Sequence, residues 1–247
     1  MSFLRRVRFL WLILWAPVTA LAQSPALEDY TYLGAGLRTR PAYDGSASQT
    51  VDLIPVVRYY GDVLFVRTTQ GIFEGGARLK LAPGLALGAQ AAYQAGRHQS
   101  ESDFLRDHNI PDVSDNASVG AHLEWDTAIG PAPFNLLGRW RQNVDSDRGA
   151  QADLRATVGV YGDHGIKAGV FTQATWANAK SMRTYYDTSG SGLLFVAAGV
   201  EGGYDLSRHW LIVSTLEGRR LQGDAASSPL AERRSSWYFS AGVAYRF

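Results

Sequence analysis

Five histidines, His98, His108, His122, His164 and His209, are the first candidates for chemistry in this 247-residue sequence. None shows the His-x-x-x-His or His-Glu-x-x-His spacing that turns two imidazoles toward one metal ion. There is no cysteine, which removes thiolate ligands, a cysteine nucleophile and a disulfide framework. No Gly-x-Ser-x-Gly elbow occurs, and no serine lies beside a histidine in an inward strand register, so the nucleophile–base pair of acyl transfer is missing. Gly34-Ala35-Gly36 lacks the third glycine and the strand–loop–helix setting of a phosphate loop. The sequence therefore predicts a non-enzymatic protein that needs no metal and no cofactor.

One constellation remains. Arg58, Glu74, Arg78, Lys80, Glu124, Arg139, Arg141, Asp153, Arg155, Lys167, Glu201, Glu217 and Arg219 occupy alternate positions in strand-like stretches, as do Arg38, Asp52 and Arg246. The positions between them are mostly apolar. Two readings fit such rows. They could line a pore and set its selectivity, or they could pair into a salt-bridged plug. A barrel of about twelve strands encloses far less room than a sixteen-stranded porin, which favours the plug.

The closing stretch shows how these charges would be positioned. From Ser236 to Phe247 every second residue is apolar or aromatic: Trp237, Phe239, Ala241, Val243, Tyr245 and Phe247. The alternate set is Tyr238, Ser240, Gly242, Ala244 and Arg246. A period of two is a β-strand with one apolar face. Aromatics at both ends of that face suit the interfacial girdles of a membrane barrel. Similar stretches recur from Tyr30 onward, and twelve can be placed if Gln70-Gly71 is a turn. Short links alternate with longer ones, the longest being loops 98–116, 178–192 and 222–234. Short inner turns, long outer loops and an even strand number are the pattern of an outer-membrane barrel. Pro55 falls inside the second stretch and predicts a local break in the ladder. The stretch 152–161 predicts Tyr161 inward, and the stretch 194–204 predicts Leu194 outward.

The two faces decide between membrane and water. The outward set carries almost no charge, and the inward set carries both signs. A soluble barrel would reverse this, because buried charges without partners are costly. The sequence thus predicts an all-β, transmembrane, antiparallel up-and-down barrel in which inner charges pair across a small lumen.

Residues 1–22 stand apart. Arg5, Arg6 and Arg8 precede an apolar run from Phe9 to Val18, and Ala20-Leu21-Ala22 supplies a small-x-small cleavage pattern before Gln23. This predicts a cleaved secretory signal peptide over 1–22, with processing between Ala22 and Gln23, and a single barrel domain over 23–247. Removing it leaves 21 basic and 23 acidic residues. That balance gives no basic surface for nucleic acid.

Several segments also resemble the MipA/OmpV family. They are Tyr32-Leu33-Gly34-Ala35-Gly36, Arg40-Pro41-Ala42-Tyr43-Asp44-Gly45-Ser46, Ile54 to Phe65, Tyr93-Gln94-Ala95-Gly96-Arg97 and His164-Gly165. Tyr185-Tyr186 stands at the family's aromatic pair, followed here by Asp187-Thr188 in place of Gly-Val. The resemblance implies a protein of the Gram-negative outer membrane, in contact with its lipid. It also implies partners: a lytic transglycosylase and a murein synthase, joined by the barrel as a scaffold. Other members are described as porin-like or adhesive, so a channel for small solutes or antibiotics and a surface adhesin stay open as alternatives. The family brings no catalytic residue.

Overall fold

The computed structural model describes residues 31–69 and 71–247. The signal segment, the Ala22–Gln23 junction and Gln70 of the expected turn lie outside the described residues. Twelve antiparallel strands close into one barrel. They are β1 (Tyr32–Pro41), β2 (Gln49–Tyr60), β3 (Leu64–Thr69), β4 (Ile72–Ala82), β5 (Leu85–Gln94) and β6 (Asn116–Ile129), then β7 (Ala132–Asn143), β8 (Ala150–Asp163), β9 (Ile166–Ala177), β10 (Gly192–Asp205), β11 (Trp210–Leu221) and β12 (Ser235–Arg246). Each pairs with the next in sequence, and β12 pairs with β1 from Tyr32↔Arg246 to Thr39↔Phe239. Closure gives every strand a neighbour on both sides, which is what a hydrocarbon surround demands of β-structure.

The alternation sorts as its period requires. Leu33, Leu37, Leu53, Leu79, Leu123, Leu154, Val200, Trp237 and Val243 point outward and are exposed. Glu74, Arg139, Asp153, Arg155 and Glu217 point inward and are buried. Arg220, opposite Val196 at the far end of β11, is an outward cation. Connections at one end are short: 61–63, 83–84, 130–131, 164–165 and 206–209. Those at the other end are mostly longer, and two of them fold into helices, α1 (Asp103–Asp107) and α2 (Ala179–Tyr186). A third helical turn, α3 (Gly223–Ala226), lies in the last of them. Short turns mark the periplasmic end of such barrels.

Three local departures from simple alternation have identifiable causes. β8 bulges between Gly159 and Tyr161, so Tyr161 pairs with outward Ala168 and is 50% exposed. The expected inward Tyr161 is thus corrected: one extra residue resets the parity of everything beyond it. β10 bulges between Leu193 and Phe195, and Leu194, expected outward, is buried against Met182 and Tyr186. The Pro55 break falls on one side only. Pro55 stays in register with Ala35 of β1, while β2 and β3 pair only from Arg58↔Arg67 to Tyr60↔Phe65. The Pro55 carbonyl faces β3, where it accepts from the Thr68 hydroxyl at 2.8 Å, so the missing N–H is on that side as well.

The middle of the seam between the first and last strands is flat on its inner side. Gly34 faces Ala244 and Gly36 faces Gly242. A Cβ added to Gly34 would lie 2.0 Å from the Val243 carbonyl oxygen. Val56 of β2 leans over this seam and packs with Leu211 and Ala244, flanked by Tyr32 and Val213.

Candidate functional site: the charged lumen and its outer cap

Five strands, β3, β4, β6, β7 and β8, build a chain of alternating charge across the lumen. Arg67 on β3 holds Glu74 of β4 at 2.6 Å and Glu124 of β6 at 2.8 Å. Arg139 on β7 reaches back to Glu74 at 3.3 Å and holds Asp153 of β8 at 2.6 Å. Asp153 also takes Arg141 at 2.8 Å. Glu124, Arg67, Glu74, Arg139, Asp153 and Arg141 therefore form one line of three carboxylates and three guanidiniums. Each interior member touches two of the opposite sign. Glu74 is 1% exposed and Arg139 3%. Groups this buried stay ionised only with charged, hydrogen-bonded partners, and the alternation supplies them.

Other inward charges form smaller sets. Arg155 pairs with Glu201 at 2.6 Å and lies over the Phe171 ring at 3.5 Å. Gly199 makes that ring position available, since a Cβ there would sit 2.4 Å from Phe171 Cζ. Arg219 pairs with Glu217 and with Asp44, and the Tyr238 hydroxyl donates to Asp44. Arg246 pairs with Asp205 near the periplasmic end. Asn135 donates to Glu124 at 3.1 Å and to Asp126 at 2.7 Å. Arg58 and Arg78 share the Tyr60 ring instead of a carboxylate. Lys80 is exposed at the lower end of β4, and Lys167 lies inward on β9.

The outer end is capped by loops. Arg40 pairs with Asp52 at 2.5 Å and with Glu101 at 3.2 Å, tying β1 to the loop that carries α1. Its guanidinium also donates to the Ala42 carbonyl at 2.7 Å. Ala42 and Tyr43 pack with Leu105 and Leu230. Glu232 accepts from Tyr43 and Ser46 hydroxyls at 3.3 Å each and from the Ala47 N–H at 3.0 Å. The segment 40–46 is thus a structural keystone that joins its own connection to those between β5 and β6 and between β11 and β12. Arg97 donates to the Tyr185 carbonyl at 2.9 Å, linking the loops of α1 and α2. Burial drives the Tyr186 phenol well above its ordinary value, with the nearby Asp44 charge adding to the effect.

α2 depends on the residue that caps it. Asn178 Oδ1 accepts from the Ser181 N–H at 3.0 Å as a cap and from the Ala150 N–H at 3.1 Å across to β8. Asn178→Ala is expected to cost about 1 kcal/mol locally. Protease cleavage between β9 and β10 should quicken, while the heat-modifiable migration of the folded barrel stays unchanged.

Chemically, the lumen is a filled polar interior. Arg67, Glu74, Gln90, His122, Arg139, Arg141, Asp153, Arg155, Gln173, Thr175 and Glu217 are all buried, which an open aqueous pore would not allow. His122 packs edge-on against the Phe65 ring at 5.1 Å and covers Gly88. Among the described residues no three His, Asp or Glu side chains gather as a metal site.

Most of the charges named from the sequence meet one another here. Glu74, Glu124, Arg139, Arg141 and Asp153 share the central chain, Arg155 meets Glu201, and Glu217 meets Arg219. Arg58, Arg78 and Lys80 stand apart from it. The hub of the chain, Arg67, was missing from the sequence reading, although Phe65 and Arg67 share a face that leaves Leu64, Val66 and Thr68 outside. Asp44 is a second omission, since it reaches the lumen from a loop.

Comparison with known proteins agrees with this architecture. The model of the family described as MltA-interacting protein MipA matches residues 33–247. No protein of curated function matches the sequence. Among solved structures, the chain is similar to the COG4313 outer membrane channel from Pseudomonas putida F1, with a TM-score of 0.55 and 11% identity over 90% of this chain and 97% of that one. It is also similar to LpxR from Salmonella typhimurium, with a TM-score of 0.51 and 9% identity over 87% of this chain and all of that one. The NanC porin gives a TM-score of 0.50 and 13% identity over 88% of this chain and 100% of that one. At such identities the likeness is one of fold: a closed outer-membrane barrel.

Proposed function

The chain belongs to the MipA family of outer-membrane barrels, and from that membership we propose a non-enzymatic scaffold for peptidoglycan-remodelling enzymes at the inner face of the outer membrane. The carrying observation is the family match over nearly the whole barrel. The filled lumen supports the same reading, because a wall packed with paired charge is suited to holding shape rather than to passing solutes. The partners in this reading are a lytic transglycosylase, as the family's description implies, and a murein synthase. They would dock on the short periplasmic turns around Asp62, Pro83, Pro131, His164 and Arg208, which are exposed.

In-cell cross-linking followed by capture of the barrel is expected to recover a murein-cleaving or murein-building enzyme. Recovery of other envelope proteins without either enzyme class would sink the scaffold reading.

A porin-like channel is the second reading, favoured by the inward Arg and carboxylate rows themselves. Planar-bilayer recording separates the two. The scaffold reading expects no open-pore steps from the purified barrel, and regular steps would replace it with the channel.

A further inference from the structure

We propose that the periplasmic half of the lumen holds a binding site for an oxyanion, a carboxylate or phosphate group, formed by Arg58 and Arg78 around Tyr60, with Lys80 beyond them toward the 83–84 turn. The site does not rest on the scaffold reading. It rests on cations that the ion-pair pattern leaves over.

Nearly every other inward arginine has a carboxylate. Arg58 and Arg78 have none within ion-pair distance among the described residues. Instead, the Arg58 guanidinium carbon lies 4.7 Å from the Tyr60 ring centroid and that of Arg78 lies 4.3 Å from it. The two like charges are therefore no farther apart than the sum of those distances. Neither Tyr60, whose hydroxyl accepts from Arg67 Nη1 at 2.8 Å, nor Tyr32, whose hydroxyl meets Arg58, can neutralise them, because a phenol carries no charge. Glu124 acts on Arg58 at longer range, but its oxygens are engaged by Arg67 and Asn135. Arg38, higher in the lumen, also lacks an ion pair, yet it faces Glu217 and Asp44.

The Nε atoms of both Arg58 and Arg78 are buried and have no hydrogen-bond partner among the described residues. Guanidinium nitrogens of Arg67, Arg141 and Arg155 also lack an acceptor, but those side chains are ion-paired through their other nitrogens, whereas Arg58 and Arg78 carry their desolvation cost without a carboxylate. Two such donors on one ring call for an acceptor that is negatively charged and small. A carboxylate or phosphate meets both demands and accepts two parallel N–H bonds from one guanidinium.

Access comes from the periplasm. Lys80 lies two residues beyond Arg78 on the same face of β4, near the 83–84 turn, and is exposed. It can draw an anion into the lower lumen before the arginines take it. Above, the buried chain of alternating charges blocks passage to the outer end. The site is thus a blind receptor facing the cell wall, and not a step along a pore.

The full-length barrel in detergent should be titrated with inorganic phosphate and, separately, with a muramyl dipeptide that carries a carboxylate. Binding is read by calorimetry and by thermal stabilisation. Saturable binding of at least one probe to the unaltered protein is expected. The double variant Arg58→Gln, Arg78→Gln should bind it at least about tenfold more weakly, while Lys180→Gln on outer helix α2 should bind as before. Phosphate binding alone would identify a phosphate-bearing solute, and dipeptide binding a wall fragment. The proposal is overturned if the unaltered barrel shows no saturation or stabilisation with either probe. It is equally overturned if the folded double variant binds as tightly as the unaltered protein. Should the double variant fail to show heat-modifiable migration, Arg78→Lys keeps the charge and removes the paired N–H donors. That variant should then lose most of the affinity, and full retention would count against the site.

Discussion

Glu74→Ala is expected to cost the barrel about 3–5 kcal/mol. Glu74 is the middle carboxylate of the central chain, and it faces Arg67 at 2.6 Å and Arg139 at 3.3 Å. Removing it strands two guanidiniums in a space that water does not reach. Each keeps one other partner, Glu124 or Asp153, so the penalty falls short of that for two free charges. Asp147→Ala is the control. Its pair with Lys180 lies on the outer surface, where both side chains are more than half exposed. That change should cost less than about 1 kcal/mol. Urea unfolding from lipid vesicles, followed by tryptophan fluorescence, measures both. Equal small losses would mean that water fills the spaces between the guanidiniums and that the lumen is open.

The second large effect lies on the opposite face. Val170→Arg is expected to cost about 2–4 kcal/mol in a bilayer. Val170 is near the middle of β9 and is flanked by Val158 on β8 and Val200 on β10. All three side chains are directed away from the lumen, and Val170 is 41% exposed. In water an arginine at such a position would change stability by no more than about 0.5 kcal/mol. The same unfolding measurement in vesicles decides the matter. A negligible loss would mean that this surface meets solvent, and the membrane assignment would fall.

The strand pattern was legible because the side-chain period of two is a local property. Charges and apolar residues sort to opposite faces over six or more positions in most of the strands. The places where this failed are places where local pattern carries no information. β3 spans only Leu64–Thr69, and apolar residues occupy both its faces, which hid Arg67. Tyr161 and Leu194 were assigned to the wrong side because a bulge shifts parity by one, and nothing in Val158-Gly159-Val160 or Leu193-Leu194-Phe195 announces it. α2 is eight residues long, too short for a helical period to show against the strands around it. The pairing partners were also out of reach. Glu74 and Arg139 are 65 positions apart, and their meeting depends on strand register and on how far each side chain crosses the lumen. Asp187 illustrates the reverse case. It follows Tyr186 where the resembling family has glycine, and its φ of 52° is the left-handed cap that glycine adopts most easily.

The flat seam bears on how the wall can be completed. On the inner side of β1 and β12, the facing residues Gly34, Gly36, Gly242 and Ala244 present no long side chain. The long cations and carboxylates of the central chain come from β3, β4, β6, β7 and β8, a contiguous half of the polypeptide with β5 between them. That half can therefore knit its ionic interior while the cylinder is still an open sheet. Along the middle of its meeting line the final strand then has mainly backbone hydrogen bonds to make, and the large inward groups, Arg38 on Tyr238 at one end and Tyr32 beside Arg246 at the other, meet only near the two ends of the seam.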